Sequence, residues 1–190
     1  MNHSEKKALA YIIGVALGDG NLSNPNGRAT RLRITCDRNY PKLIKKMILN
    51  IRKILPLNKI SFINRRETYG DISCYSNKWE GWLGWKVGRG SKQKQNVSIP
   101  PWIKGNKRLS IDCLRGLFET DGSIYKDRGY TMVNFTTTIP KLARDVIELI
   151  SYHGYKATIY RISTEHKPKY IVRIARSADS FIKFLTLDKS

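Results

Sequence analysis

Two aspartates, Asp19 and Asp121, each stand directly before a glycine at the end of an apolar, helix-forming run, YIIGVALGDG at 11–20 and CLRGLFETDG at 113–122. Helix capping accounts for the glycines, and Gly20 and Gly122 are expected as left-handed stops. It does not account for the acids, because a carboxylate in the last turn opposes the helix dipole at a cost of roughly 0.3–1 kcal/mol. If the two helices lie side by side in one direction, both carboxylates and both sets of unsatisfied terminal carbonyls meet at one place. An all-oxygen site of that kind suits a hard divalent cation, Mg²⁺ before others, that keeps several of its waters. Two carboxylates holding such an ion beside a basic surface are equipped for phosphodiester hydrolysis. The same segment fails as a nucleotide site, since GVALGDG has neither the Gly-Lys-Ser/Thr of a phosphate loop nor a G-x-G-x-x-G.

The elements that position these acids recur along the chain. Asp19 and Asp121 are 102 positions apart, and beyond them Pro41-Lys42-Leu43 returns as Pro140-Lys141-Leu142 at an offset of 99. At that offset Ile48, Ile51, Ile60 and Ile72 fall on Ile147, Ile150, Ile159 and Ile171, and Trp82 and Trp85 on Phe181 and Phe184. The reappearance mid-chain removes the reading of residues 1–20 as a secretory leader, which two lysines before an apolar run would otherwise imitate. That run is also too short for a bilayer, which needs about 20 apolar residues.

Each unit is predicted to run helix, two strands, helix, two strands, helix. In the first, a helix near 5–18 capped by Ser4 precedes a strand near 29–37, a helix from Pro41 to Ile54, strands near 59–65 and 69–76, and a short helix near 78–86. The second has a helix at 110–120, strands near 123–126 and 130–137, a helix at 139–153, strands at 156–162 and 169–175, and a helix at 178–186. The expected fold class is α+β, with units at 1–86 and 108–190 and a charged, flexible linker at 87–107. Gly14 and Gly116 weaken their helices by about 0.8–1.0 kcal/mol each relative to alanine, which points to close approach of the two helix backbones.

Thirty-five Lys and Arg against fifteen Asp and Glu give a formal charge of +20 on a chain that is 41% hydrophobic. Such a chain folds, and its charge calls for an anionic partner, nucleic acid above all. Nineteen basic against six acidic residues up to Gln95, and sixteen against nine beyond it, make both halves positive. The three widely spaced cysteines and three histidines argue against a zinc site or disulfide framework and fit a reducing intracellular compartment. Trp79, Trp82 and Trp85 are expected in the core rather than as base-stacking platforms.

The segments 12–20 and 114–122, with their paired Gly and Asp-Gly anchors, resemble the nine-residue motif of the LAGLIDADG homing endonuclease family, and the repeat extends the resemblance over essentially the whole chain. The resemblance implies a single-chain, pseudo-two-fold enzyme with two saddle-shaped antiparallel sheets on DNA and the motif helices at the interface. It further implies Asp19 and Asp121 as catalytic, metal-binding acids, with the carbonyls of Gly18 and Thr120 as additional ligands. Mg²⁺ is the expected cofactor, with Mn²⁺ substituting and Ca²⁺ binding without supporting cleavage. The expected partner is double-stranded DNA with a long asymmetric target, cut on both strands across the minor groove, with no membrane and no second protein needed; the chain is expected to act as a monomer. The chain departs from the family where a polar, often Gln-Lys, pair and basic residues surround the active-site water. Asp37 and Thr136 stand in the corresponding stretches, and Arg38, Lys94 and Lys126 are the candidate basic groups. A non-catalytic nucleic-acid binder on the same scaffold, such as an RNA maturase, remains the rival reading.

Strand alternation selects the surface that faces DNA, since two-stranded ribbons fit the major groove. In the first half it comprises Arg31, Arg33, Thr35 and Asp37, then Lys59, Ser61 and Arg65, then Tyr69, Asp71, Ser73 and Tyr75. In the second it comprises Tyr130, Met132, Asn134 and Thr136, then Lys156, Thr158 and Tyr160. For the last strand alternation and repeat disagree, so Arg173 is expected to contact DNA only weakly.

Overall fold

The computed structural model describes residues 1–165 and 167–187. The chain opens with α1 (His3–Asp19), followed by β1 (Gly20–Ser23), β2 (Arg31–Asp37), α2 (Pro41–Ile54), β3 (Ile60–Asn64), β4 (Tyr69–Tyr75) and α3 (Trp79–Leu83). A short helix, α4 (Pro101–Lys104), precedes α5 (Lys107–Thr120). The order then repeats as β5 (Gly122–Asp127), β6 (Tyr130–Thr137), α6 (Pro140–Tyr152), β7 (Thr158–Ile162), β8 (Lys169–Ile174) and α7 (Ala178–Leu185). Two antiparallel four-stranded sheets result, ordered β1-β2-β4-β3 and β5-β6-β8-β7, an α+β architecture with one topology used twice.

The α1 helix is buried without interruption from Ala8 to Leu17, as an all-round apolar helix must be. Its cap differs from expectation: Asn2, not Ser4, accepts from the Glu5 amide at 2.9 Å, and the Glu5 carboxylate answers to the Asn2 amide at 3.0 Å. This reciprocal box satisfies two terminal donors, which Ser4 inside the helix cannot do. The α1 and α5 helices run in the same direction and touch through their glycines. A Cβ on Gly14 would strike the Cys113 carbonyl, and one on Gly116 the Tyr11 carbonyl.

Gly20 and Gly122 are not left-handed stops. Gly20 is extended at φ −78° and ψ 146°, and Gly122 is absent from the positive-φ residues. Each lacks a side chain for a spatial reason: the chain turns from helix straight into a strand, and a Cβ would lie 2.5 Å from the Ala16 carbonyl oxygen at Gly20 and collide with that of Phe118 at Gly122.

The offset of 99 also fails in the last strand. Ile72 is opposite Ile34, and the residue in the equivalent place is Val172, opposite Phe135. Ile171 lies on the other face, beside Thr136 and Tyr160. One residue of slip exchanges the faces of a strand, and that slip produced the apparent conflict over Arg173.

The segment from Val87 to Lys107 is tied down rather than loose. Val97, Ile99 and Ile103 are buried. The Asp145 carboxylate accepts from the Ile99 amide at 2.8 Å and the Lys104 ammonium at 2.9 Å. Trp79 and Trp85 are buried, Trp82 is half-buried edge-on against Trp79, and the Trp79 indole donates to the Cys74 carbonyl.

Candidate metal centre and nucleic-acid face

Asp19 ends α1, and Asp121 follows the last turn of α5. Because the helices are parallel, their ends meet: a Cβ on Gly18 would collide with the Thr120 hydroxyl and come within 3.1 Å of the Asp121 carboxylate. Two recesses flank this point. One is lined by Asp19, Thr35, Asp37, Glu119 and Thr120 together with apolar Tyr40, Leu43, Ile44 and Met47. The other is lined by Asp121, Gly18, Thr136, Thr137, Thr138, Lys92 and Lys169. Each therefore combines the acid of one half with the residue that precedes the acid in the other, Thr120 with Asp19 and Gly18 with Asp121.

Thr35 and Thr136 occupy matching positions, since Thr35 is opposite Asp71 and Thr136 opposite Ile171 in the corresponding strand pairs. Among the described residues no group of three or more His, Cys, Asp and Glu side chains is arranged to hold a metal ion. Any cation here would rest on two carboxylates, backbone carbonyls and water.

Lys92 is the residue that sequence reasoning missed. Its ammonium donates to the carbonyls of Leu17 at 2.7 Å, Ala16 at 3.1 Å and Gly18. Burial draws its pKa down to about 8, against the opposing pull of Asp121 and then Asp19. The end of α1 thus attracts positive charge, as its helix-end carbonyls and two carboxylates require, and the donor set fits a hard divalent ion. Lys92 lies outside the repeat, so no symmetry or spacing marked it. The three basic residues considered from sequence lie elsewhere. Arg38 donates to the carbonyls of Arg66 and Glu67, Lys94 is an exposed loop residue, and Lys126 is opposite Thr131, one residue out of phase with Asn134.

A second unforeseen group is Glu119, whose side chain is 1% exposed. It accepts from the Tyr11 hydroxyl at 2.7 Å and from Lys46 at 2.5 Å, joining α1, α2 and α5. Burial, and then the Glu119 charge, push the Tyr11 phenol above its ordinary range. Burial, and then Asp19, push the Cys36 thiol up to about 12. These partners lie up to 108 positions apart, and no local pattern announces them.

The sheet register collects the expected strand residues onto one face per half. In the first, Arg31 is opposite Tyr75, Arg33 opposite Ser73, Thr35 opposite Asp71 and Asp37 opposite Tyr69. Ser61 is opposite Ser73, with Lys59 and Arg65 in phase at the two ends of β3. Asn21, opposite Arg33, and Ser23, opposite Arg31, extend this face through β1, whose brevity hid them. Asp71 and Ser73 are on the face but buried. Asp71 accepts from Thr35 at 2.9 Å and Arg65 at 2.7 Å, so its carboxylate orders the face from below. Arg33 Nε is buried without a hydrogen-bond partner among the described residues.

In the second half Arg173 is central rather than marginal. It stands opposite both Asn134 and Thr158, donates to the Asn134 carboxamide at 3.1 Å, and covers the Tyr160 ring at 5.2 Å. Tyr130 and Met132 are opposite Asp127 and Tyr125, Tyr160 is opposite Ile171, and Lys156 continues the phase of Thr158 as an exposed residue.

Residues 110–187 match the LAGLIDADG-like domain family. The chain is 28% identical over 176 residues to part of the ATP-dependent DNA helicase Hel308 of Thermococcus kodakarensis, an alignment covering 87% of this chain and 15% of that protein. The chain therefore spans a small fraction of that relative. Among solved structures, mesophilic variants of the homing endonuclease I-DmoI superpose with a TM-score of 0.71 at 20% identity, covering 98% of this chain and 99% of theirs. The N-terminal LAGLIDADG domain of DUF199/WhiA superposes with a TM-score of 0.63 at 16% identity, over 97% of this chain and 85% of that one. The second half thus matches the LAGLIDADG-like domain family directly, and the first half repeats its motif and its sheet order.

Proposed function

We propose that this protein is a site-specific, divalent-metal-dependent DNA endonuclease that cuts both strands as a monomer, residues 1–86 and 108–190 each supplying half of the site. The observation that carries the reading is the meeting of Asp19 and Asp121 at the ends of two parallel helices, between two polar sheet faces on a chain of charge +20. I-DmoI, which shares the fold, has been crystallised in complex with DNA and Mn or Ca, and a single-residue variant of it with its target DNA in the presence of Mg; Mg²⁺ is the ion we assign here.

The two sheet faces hold the duplex. Arg31, Arg33, Lys59 and Arg65 in one half and Lys156 and Arg173 in the other neutralise phosphates or read base edges, with the neighbouring Tyr, Thr, Ser and Asn side chains completing the contacts. Asp19 and Asp121 hold the cation with the carbonyls of Thr120 and Gly18. When bound, that ion supplies Lewis-acid stabilisation of the charge developing on the phosphate, and an acidified water. Thr35 and Thr136, matching hydroxyls in the two recesses, orient water toward each strand.

One observation favours the rival, a nucleic-acid binder without catalysis: the Lys92 ammonium already sits on the carbonyls at the end of α1. A plasmid library with randomised inserts, incubated with Mg²⁺ and scored for linear product, separates the two. The wild type linearises a subset. Asp19→Asn and Asp121→Asn each abolish linearisation, by about 10²-fold or more, while binding to the selected duplex persists. Wild-type cutting rates in both variants, or no cutting by the wild type, would refute the assignment.

A further inference from the structure

Resting on the reading of the two sheet faces as the DNA-holding surface, we propose that Arg173 and Tyr125 form a fixed, donor-only reader of one guanine in the part of the target held by the second half. Arg173 sits on the polar face of the second sheet, opposite Asn134 and Thr158. A guanidinium only donates, so the group facing its Nε at 3.1 Å is the carboxamide oxygen of Asn134. The Asn134 amide nitrogen is thereby turned to the Tyr125 hydroxyl, to which it donates at 3.1 Å. Nη2 of Arg173 donates to the same hydroxyl at 3.4 Å. A hydroxyl oxygen has two lone pairs; both are taken, and the Tyr125 proton is left to donate outside the network.

Of the five guanidinium N–H groups, Nε and one on Nη2 are committed, and Nη1 has no hydrogen-bond partner among the described residues. Buried Asn134 on one side and the Tyr160 ring against the guanidinium hold the head in place. A planar fork held in this way gives up little freedom on binding, whereas a phosphate is served as well by a flexible point charge. In the major groove only guanine shows two neighbouring acceptors, O6 and N7. Adenine sets a donor beside its acceptor, cytosine shows a donor, and thymine one acceptor beside a methyl group. An array made only of donors therefore matches guanine and meets a donor on adenine and cytosine. The first half has no equivalent: Ser73 holds the position matched to Arg173, Arg65 is committed to Asp71, and the Arg31 Nε to Ser23 at 3.1 Å.

The test selects duplexes by binding from a randomised pool without divalent metal, then measures affinity for every single-base-pair variant of the selected duplex by fluorescence anisotropy. The wild type prefers guanine at one position by about tenfold to a hundredfold. A guanine analogue with carbon in place of N7 forfeits that preference, and inosine, which keeps O6 and N7, retains it. Arg173→Ala levels the position and leaves preferences elsewhere standing; so does Arg173→Lys, which keeps the charge but not the fork, and Tyr125→Phe weakens it in part. Melting curves show that each variant is folded. For comparison, Lys156→Ala lowers affinity evenly across the variants and reduces the salt slope by about one. An Arg173→Ala loss spread evenly over all variants, full binding of the duplex lacking N7, or no duplex selected at all would each overturn the proposal. Plasmid cleavage in Mg²⁺ is scored separately: a protein that reads guanine without cutting keeps this proposal and loses the nuclease reading.

Discussion

Substituting Gly14 by alanine tests the helix interface on which the candidate site depends. The new Cβ would collide with the Cys113 carbonyl oxygen and lie 3.0 Å from its carbon and 3.1 Å from the Leu117 nitrogen. All three are backbone atoms, so relief requires the helices to separate. Overpacking typically costs about 1–3 kcal/mol, and backbone obstruction places this site near the upper end. Alanine returns about 0.8–1.0 kcal/mol of helix propensity, leaving a net loss of about 2 kcal/mol. For a chain of this size that lowers the melting temperature by about 4–8 °C. Gly81 is the control: it lies in α3, and an added Cβ meets nothing within 4 Å. Its alanine variant gains up to about 1 kcal/mol from propensity alone. Circular-dichroism melts of both variants give the comparison. If Gly14→Ala melts at or above the wild type, or Gly81→Ala falls as far, the glycine contact does not set the helix spacing.

Tyr11→Phe removes a hydroxyl that donates to the buried Glu119 carboxylate at 2.7 Å. Hydrogen bonds to charged groups are worth about 1.5–3 kcal/mol, so the urea midpoint should fall with no change in slope; an unchanged midpoint would show that the bond contributes nothing net. Asp71 has its own pH signature. Burial raises its pKa, but hydrogen bonds from Arg65 and Thr35 and the charges of Arg33 and Arg65 outweigh burial and hold the carboxyl below its ordinary value. A depressed folded-state pKa stabilises above the unfolded value of about 3.9 and ceases to do so as pH falls through the folded value. Asp71→Asn should therefore be less stable than the wild type at neutral pH, with the gap closing below about pH 4; a gap constant with pH would refute the argument.

The sequence alone determined the doubled architecture, because its signals are short-ranged. Two Asp-Gly helix ends, proline at the first turn of both α2 and α6, and strict alternation in β2 each depend on neighbours within a few residues. Such signals survive without knowledge of the fold. Register was less secure: alternation placed Arg173 on the polar face, whereas a repeat counted at constant offset set Ile171 against Ile72, and only hydrogen-bonded pairing in the sheet decides between them. The glycines after the acids were legible as required but not for the right reason, since a crowded helix-to-strand turn and a left-handed cap leave the same letter. Tertiary structure alone decided what converges on the acids. Glu119 is held by Tyr11 and Lys46 from two other helices. Lys92 arrives at the end of α1 from more than seventy positions away along the chain. Contacts of that separation leave no periodicity behind them, because they are set by how buried helices and a tethered segment share space.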